Sequence, residues 1–150
     1  MAYWLFKSEP ESWSWDQQVA RGKAGQEWDG VRNYAARNNM RAMRRGDQGF
    51  FYHSGAEKRI VGIVDIIGEV HPDRTDQTKA WECVDIAAAR PFPQPVGLDR
   101  IKAEAKLADM VLVHNSRLSV QPVTTAEWQL ICLTHNLLKL FRAGWRPQVA

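Results

Sequence analysis

A chain of 150 residues and 17.1 kDa, with 45% hydrophobic and 25% charged residues, is long enough to bury one core without a metal or disulfide staple. No apolar run approaches the length of a membrane helix, and the start, MAYWLFKSEP, lacks the basic and apolar regions of a secretion signal, so no membrane partner is expected. Cys83 and Cys132 lie far apart in apolar segments with no CxxC or HxxxH pair, so neither a disulfide framework nor a zinc site is expected, and a reducing cytoplasm is the expected home.

In chain order, the aromatic-rich run Tyr3 to Lys7 predicts a first strand. Ser12 or Ser14 can cap a short helix through Val19, with Gly22 to end it. A polar stretch leads to Trp28 and a second helix. QGFFYHS (48–54) and RIVGIVDIIGEV (59–70) predict a hairpin around a turn at 55–58, and Gly62 and Gly68 predict bulges that curl the sheet. Trp81 to Arg90 predicts another strand, PFPQPVG a rigid connector, and Leu98 to Ala105 a helix. Ala108 to His114 predicts a strand or a helix end, Leu118 to Val123 a strand, and Thr124 or Thr125 caps a helix through Leu133. Five or six strands with flanking helices define an α+β fold, a small closed or nearly closed β-barrel. Residues 1–135 form the expected domain, and 136–150 a basic amphipathic tail whose default role is packing.

The segment WDGVRNYAARNNMRAMRR (28–45) says most about function. Ala36, Met40 and Met43 make an apolar stripe, and Arg37, Arg41 and Arg44 repeat that spacing one residue later, turned about 100°. Arg45 extends the positive end, and Gly46 is placed to stop the helix. Between Val31 and Ile60 seven basic residues face two acids, a net +5, whereas the whole chain carries +3. Such concentration is the footprint of a phosphate-binding face, and Arg32, Arg37, Arg41, Arg44 and Arg45 are its candidate residues. A solvated amphipathic helix is the plainer alternative.

YWLFKSEP, WDGVRNYAARNNMR, GDQGFFYHS, WECVDI and RLSVQPVTTAEW, in this order, resemble the EVE domain family from about Tyr3 to about Ile131. That family belongs to the PUA-like barrels and is related to the YTH readers of methylated adenine in RNA. The resemblance implies a PUA-like barrel with a pocket for a modified base flipped out of nucleic acid, modified cytosine in DNA favoured and a modified RNA base as the alternative. It places Lys7 and Ser8 at the pocket edge and Trp28 as one aromatic wall. Asn33 and Tyr34 follow at the helix start, His53 and Ser54 lie beside the same pocket, and Arg117 and Ser119 come from the other side. The second and third cage aromatics of the YTH relatives have no evident match; Tyr34, Tyr52 and Trp81 are the candidates to substitute.

Residue chemistry can be weighed beside the resemblance. Trp28 has polar neighbours (Gln26, Glu27, Asp29), which suits a partly exposed stacking ring, whereas Trp4, Trp13, Trp81 and Trp128 lie in periodic segments and are assigned to the core. Ser8 and Asn33 each offer a donor and an acceptor for a base edge; their plainer roles are a turn cap near Pro10 and a helix N-cap. His53 alone reads as a satisfied structural histidine. GxSxG, GxxxxGK, GxGxxG and HxE with PCxxC are all lacking, so a non-enzymatic reader without cofactor or metal, monomeric, is expected. An enzyme, or a barrel that binds a nucleotide-like small molecule or a protein, is the alternative.

Overall fold

The computed structural model describes residues 1–142, with side chains through Leu133. Its strands are β1 (Tyr3–Ser8), β2 (Gln26–Glu27), β3 (Gln48–His53), β4 (Arg59–Pro72), β5 (Glu82–Gly97) and β6 (Val120–Val123). They form one sheet in the order β2-β5-β4-β3-β1-β6, with β1 and β3 parallel. β1 is hydrogen-bonded on both sides, to β3 and β6, and both its faces are covered. That is why it reads as a continuous apolar run. Trp4 and Phe6 enter one core with Phe51, Val64 and Ile86, while Leu5 enters a second with Phe50, Ile63 and Trp128. Helices α3 (Leu98–Ala103), α4 (Val111–His114) and α5 (Thr125–Arg142) supply Ile101, Leu112 and Ile131 to the second core.

The connection between the parallel strands carries α1 (Trp15–Ala20) and α2 (Tyr34–Ala42). Ser14 caps α1 in a reciprocal box with Gln17, and Trp15 packs its indole where Gly62 has no side chain; a Cβ there would lie 2.5 Å from the ring. The register of β4 shifts beside both Gly62 and Gly68, as the sequence predicts. The sheet nevertheless stays open, since β6 and β2 end its two edges unpaired with each other. Helix α2 bridges this seam: Asn39 Nδ2 donates to Val120 O on β6 (2.7 Å), and Arg41 ion-pairs with Glu82 on β5. The closed version of the expected barrel is therefore replaced by a sheet completed with a helix.

Three boundaries differ from expectation for tertiary reasons. Helix α2 stops at Ala42, so Arg44 and Arg45 lie beyond it. Met43 turns extended and buries its side chain, while the Asp47 carboxylate accepts from Arg44 N, Ala2 N and Trp4 Nε1 and holds the turn. PFPQPVG is not a connector but the second half of β5: Pro91 pairs with Gly62 and Val96 and Gly97 with Ile60 and Arg59, while residues 92–95 stand opposite Val61 in a register shift. Pro93 and Pro95 fall inside this irregular stretch, the kind of place where a strand tolerates proline. Helix α5 runs past Leu133 to Arg142; of the expected tail, residues 143–150 lie outside the described residues.

Candidate functional site

A cavity of about 400 Å³ opens between the end of β1, the turn at 9–13, the loop at 26–32 and Ser119. Trp28 forms part of its wall, but the ring is only 8% exposed, not partly exposed as its polar neighbours in sequence suggest. The Trp28 backbone N–H donates to Val84 O (2.8 Å), which draws the segment onto β5, and the indole meets Phe6 and Phe51 edge-on at 5.3 and 5.7 Å. Trp28 is thus a core residue whose remaining surface faces the cavity. Trp13, assigned to the core from its sequence context, is half-buried and lines the cavity too. It is held by Nε1–H donation to Gln18 Oε1 (2.9 Å) and by its carbonyl, which accepts from Ser8 Oγ (2.6 Å). Gln18 in turn is fully buried and donates to Ile86 O.

Ser8 therefore spends its proton on the Trp13 turn and offers the cavity an acceptor. Lys7 lies beside it, with Nζ donating to Ser116 O (2.7 Å) and burial lowering its pKa. The loop that carries Trp28 is clamped by Asp73, a residue the sequence reading did not single out. Its carboxylate accepts from Gly30 N (2.8 Å), Arg32 Nη1 (3.0 Å), Thr75 Oγ1 (2.6 Å) and Thr75 N (2.8 Å). Burial alone would raise the Asp73 pKa, but these four donors together pull it down to about 2. Gly30 sits at φ +79°, where a side chain would strain the backbone that presents its N–H. The repeated D-x-T pattern, Asp73-Arg74-Thr75 and Asp76-Gln77-Thr78, is the sequence signal for these turns.

Beyond the cavity rim, Tyr34 (65% exposed) packs on half-buried Trp81 at 4.9 Å with the rings tilted by 32°, and the Arg37 guanidinium lies over both rings at 4.8 and 5.5 Å. Arg32 approaches Trp81 at 5.9 Å and links this patch to the cavity that it also lines. Trp81 is accordingly not core, and neither it nor Tyr34 or Tyr52 is found among the cavity walls. The arginines are already partnered: Arg32 with Asp73, Arg41 with Glu82, Arg44 with Glu69 at 3.6 Å, and Arg37 with Ala80 O. Arg45 is exposed, its backbone N donating to Glu69.

Of the residues expected in the pocket, the fold brings together Lys7, Ser8, Trp28 and Ser119, joined by Arg32 from the phosphate set. Asn33 instead caps α2, its Oδ1 accepting from Ala36 N (2.9 Å). His53 is buried; Nε2 accepts from Trp15 N (3.0 Å), so Nδ1–H donates to Glu57 (3.0 Å) and both nitrogens serve the fold. Ser54 pairs its N–H with Ser8 O, and Arg117 is exposed outside the cavity. On the far side of β2, Glu27, His71 and Asp85 hold ligand-type atoms within 4.8 Å of one another. Their charges are matched internally: His71 Nε2 meets Asp85 at 2.8 Å, which raises the histidine pKa, and Glu27 pairs with Arg74 at 3.0 Å.

The chain matches the EVE domain model over residues 2–134. Thymocyte nuclear protein 1 from Mus musculus is 36% identical over 161 aligned positions, covering 86% of this chain and 71% of the relative. A protein from Rhodopseudomonas palustris solved by NMR is 58% identical with a TM-score of 0.87, covering 92% of this chain and 95% of the other. The crystal structure of human THYN1 in complex with 5-methylcytosine-containing DNA is 33% identical with a TM-score of 0.83, covering 90% and 98%. A YTH domain from Zygosaccharomyces rouxii, at 15% identity and a TM-score of 0.55, shares the fold. The expected cytoplasmic home is corrected, because the curated mouse and human relatives are named as nuclear proteins. Free thiols indicate only a reducing compartment, and nucleus and cytoplasm share that property, so cysteine usage could not separate them. With one family model spanning almost all of its length and relatives above 30% identity, this chain belongs to the EVE domain family.

Proposed function

We propose that this protein is a non-enzymatic reader that takes a modified base of a nucleic acid, 5-methylcytosine in DNA foremost, into the Trp13–Trp28 cavity. The observation that carries the reading is the cavity itself: about 400 Å³, with two indoles and a rim of serine, lysine and arginine. Ligand pockets span roughly 300–1,000 Å³, so this one suits a single base rather than a longer segment. The family likeness to a protein crystallised on 5-methylcytosine DNA points the same way. A binding role is favoured over catalysis because His53, the histidine nearest the expected site, has both nitrogens engaged in the fold.

In this reading Arg32, Arg37, Arg41, Arg44 and Arg45 meet the phosphates that flank the extruded base. Their present partners do not forbid it. The Arg41–Glu82 and Arg44–Glu69 pairs keep solvent contact on both sides and contribute about 0–1 kcal/mol, which a polyanion with released counterions can outweigh, whereas Arg32 would meet phosphate while still held by Asp73. The test is fluorescence anisotropy with matched DNA and RNA strands carrying cytosine, 5-methylcytosine, adenine or N6-methyladenine at one position. The expected result is a preference of roughly tenfold for the methylated cytosine, the scale of one methyl group in an apolar pocket. Equal affinity for every base would refute base reading, and preference for a methylated base in RNA alone would move the substrate from DNA to RNA.

A further inference from the structure

A cavity that receives part of a polyanion should not be lined with carboxylates unless they do something. Glu9, Glu27 and Asp29 line this one, against Lys7 and Arg32. The cations are spent within the protein, Lys7 on Ser116 O and Arg32 on Asp73 and Thr75. Glu27 is held by Arg74. Asp29 and Glu9 make no ion pair among the described residues, and of the two Asp29 adjoins Trp28; its carboxylate has its own backbone N–H and the nearby Arg32 charge for support. It is the residue directly after Trp28, on the loop that Asp73 clamps through Gly30, so its position relative to the indole is held. Although the residue is exposed, partial burial of its carboxylate, followed by the neighbouring Asp73 and Glu27 charges, raises its pKa, which marks a carboxylate short of donors.

Resting on the base-reader function, we infer that Asp29 selects the exocyclic amino group of the base by accepting an N4–H of cytosine. A carboxylate is a pure acceptor, and N4–H₂ is the donor that distinguishes cytosine from pyrimidines bearing a carbonyl at that position. Thymine would turn O4 towards Asp29, setting two acceptors against each other and leaving the carboxylate unpaired. The methyl group cannot provide this discrimination, because thymine carries the same 5-methyl as 5-methylcytosine.

The experiment compares strands with 5-methylcytosine, thymine or an abasic site at one position, bound to the parent protein, Asp29→Asn and Asp29→Ala. The parent should prefer 5-methylcytosine over thymine by about tenfold or more, the scale of one good polar base contact. Asparagine can donate to O4 as well as accept, so Asp29→Asn should bring the two within about threefold. Asp29→Ala should lose the discrimination as well. Melting curves matching the parent would verify the fold, as expected for an exposed loop side chain. If both variants keep the parental ratio, the selector is another residue and the inference is overturned while base reading stands. If the parent binds the abasic strand as well as 5-methylcytosine, base reading itself fails and the inference falls with it.

Discussion

The cavity floor and the arginine rim use the same residue types, tryptophan and arginine beside carboxylates, to opposite ends. At the floor, Trp28 meets Phe6 and Phe51 with its backbone N–H on β5, and Asp73, which clamps its loop from outside the cavity lining, meets four donors while fully shielded. At the rim, exposed Tyr34 packs tilted on half-buried Trp81, and Arg41 and Arg44 hold carboxylates that keep solvent contact. The floor is a shape set by folding, costly to alter. The rim is a set of weak, exchangeable contacts that another anion can take over. Such a division suits recognition: a rigid slot discriminates, while a loose charged border recruits.

The largest effect should come from breaking the floor. Trp28→Ala removes a core ring and should cost about 3–5 kcal/mol of stability together with base preference. Trp13→Ala, at a half-buried ring, should lose roughly 1–3 kcal/mol of base-dependent binding with a much smaller fall in melting temperature. Chemical denaturation and oligonucleotide binding on both variants will decide. Equal destabilisation by the two would erase the distinction between a structural and a ligand-facing indole.

A smaller loss is expected from acid. Asp73 has a folded pKa of about 2 against an ordinary value of 3.8. A depressed carboxylate stabilises the fold above the unfolded value and loses that contribution as pH falls through 3.8 towards 2. The shift corresponds to about 2 kcal/mol, and Asp73→Asn should flatten the pH dependence of stability in that window. Urea titrations from pH 5 to pH 2 provide the measurement, and a variant with the parental slope would remove Asp73 as the clamp.

Least should change at the rim. Replacing Arg37 and Arg41 by Gln should alter stability by about 0–1 kcal/mol, yet weaken binding to modified and unmodified strands alike. Each lost phosphate contact should make the log–log salt dependence shallower by about 0.7–0.9. An unchanged salt slope would leave Arg41 with the sheet seam and Arg37 with the Tyr34 and Trp81 rings, and neither with phosphate.

Local chemistry made several features readable in advance. Ser14 and Asn33 cap their helices, Gly62 and Gly68 mark the irregularities of β4, and the aromatic and β-branched runs became β1, β3 and β4. Each depends on neighbours within a few residues, which a sequence displays directly. The ordered motifs carried the family for the same reason. Where Trp28 and Trp13 sit, which carboxylates occupy the arginines, and how a proline-rich run joins β5 were decided only by the tertiary structure. Those outcomes depend on partners far along the chain: Val84 draws in Trp28, Glu82 meets Arg41, and Ser119 reaches the cavity beside Lys7, whose backbone N–H donates to its carbonyl. Burial and ion pairing are properties of such distant contacts, so a polar flank in sequence could hide a buried indole and an arginine stripe could hide its own counter-charges.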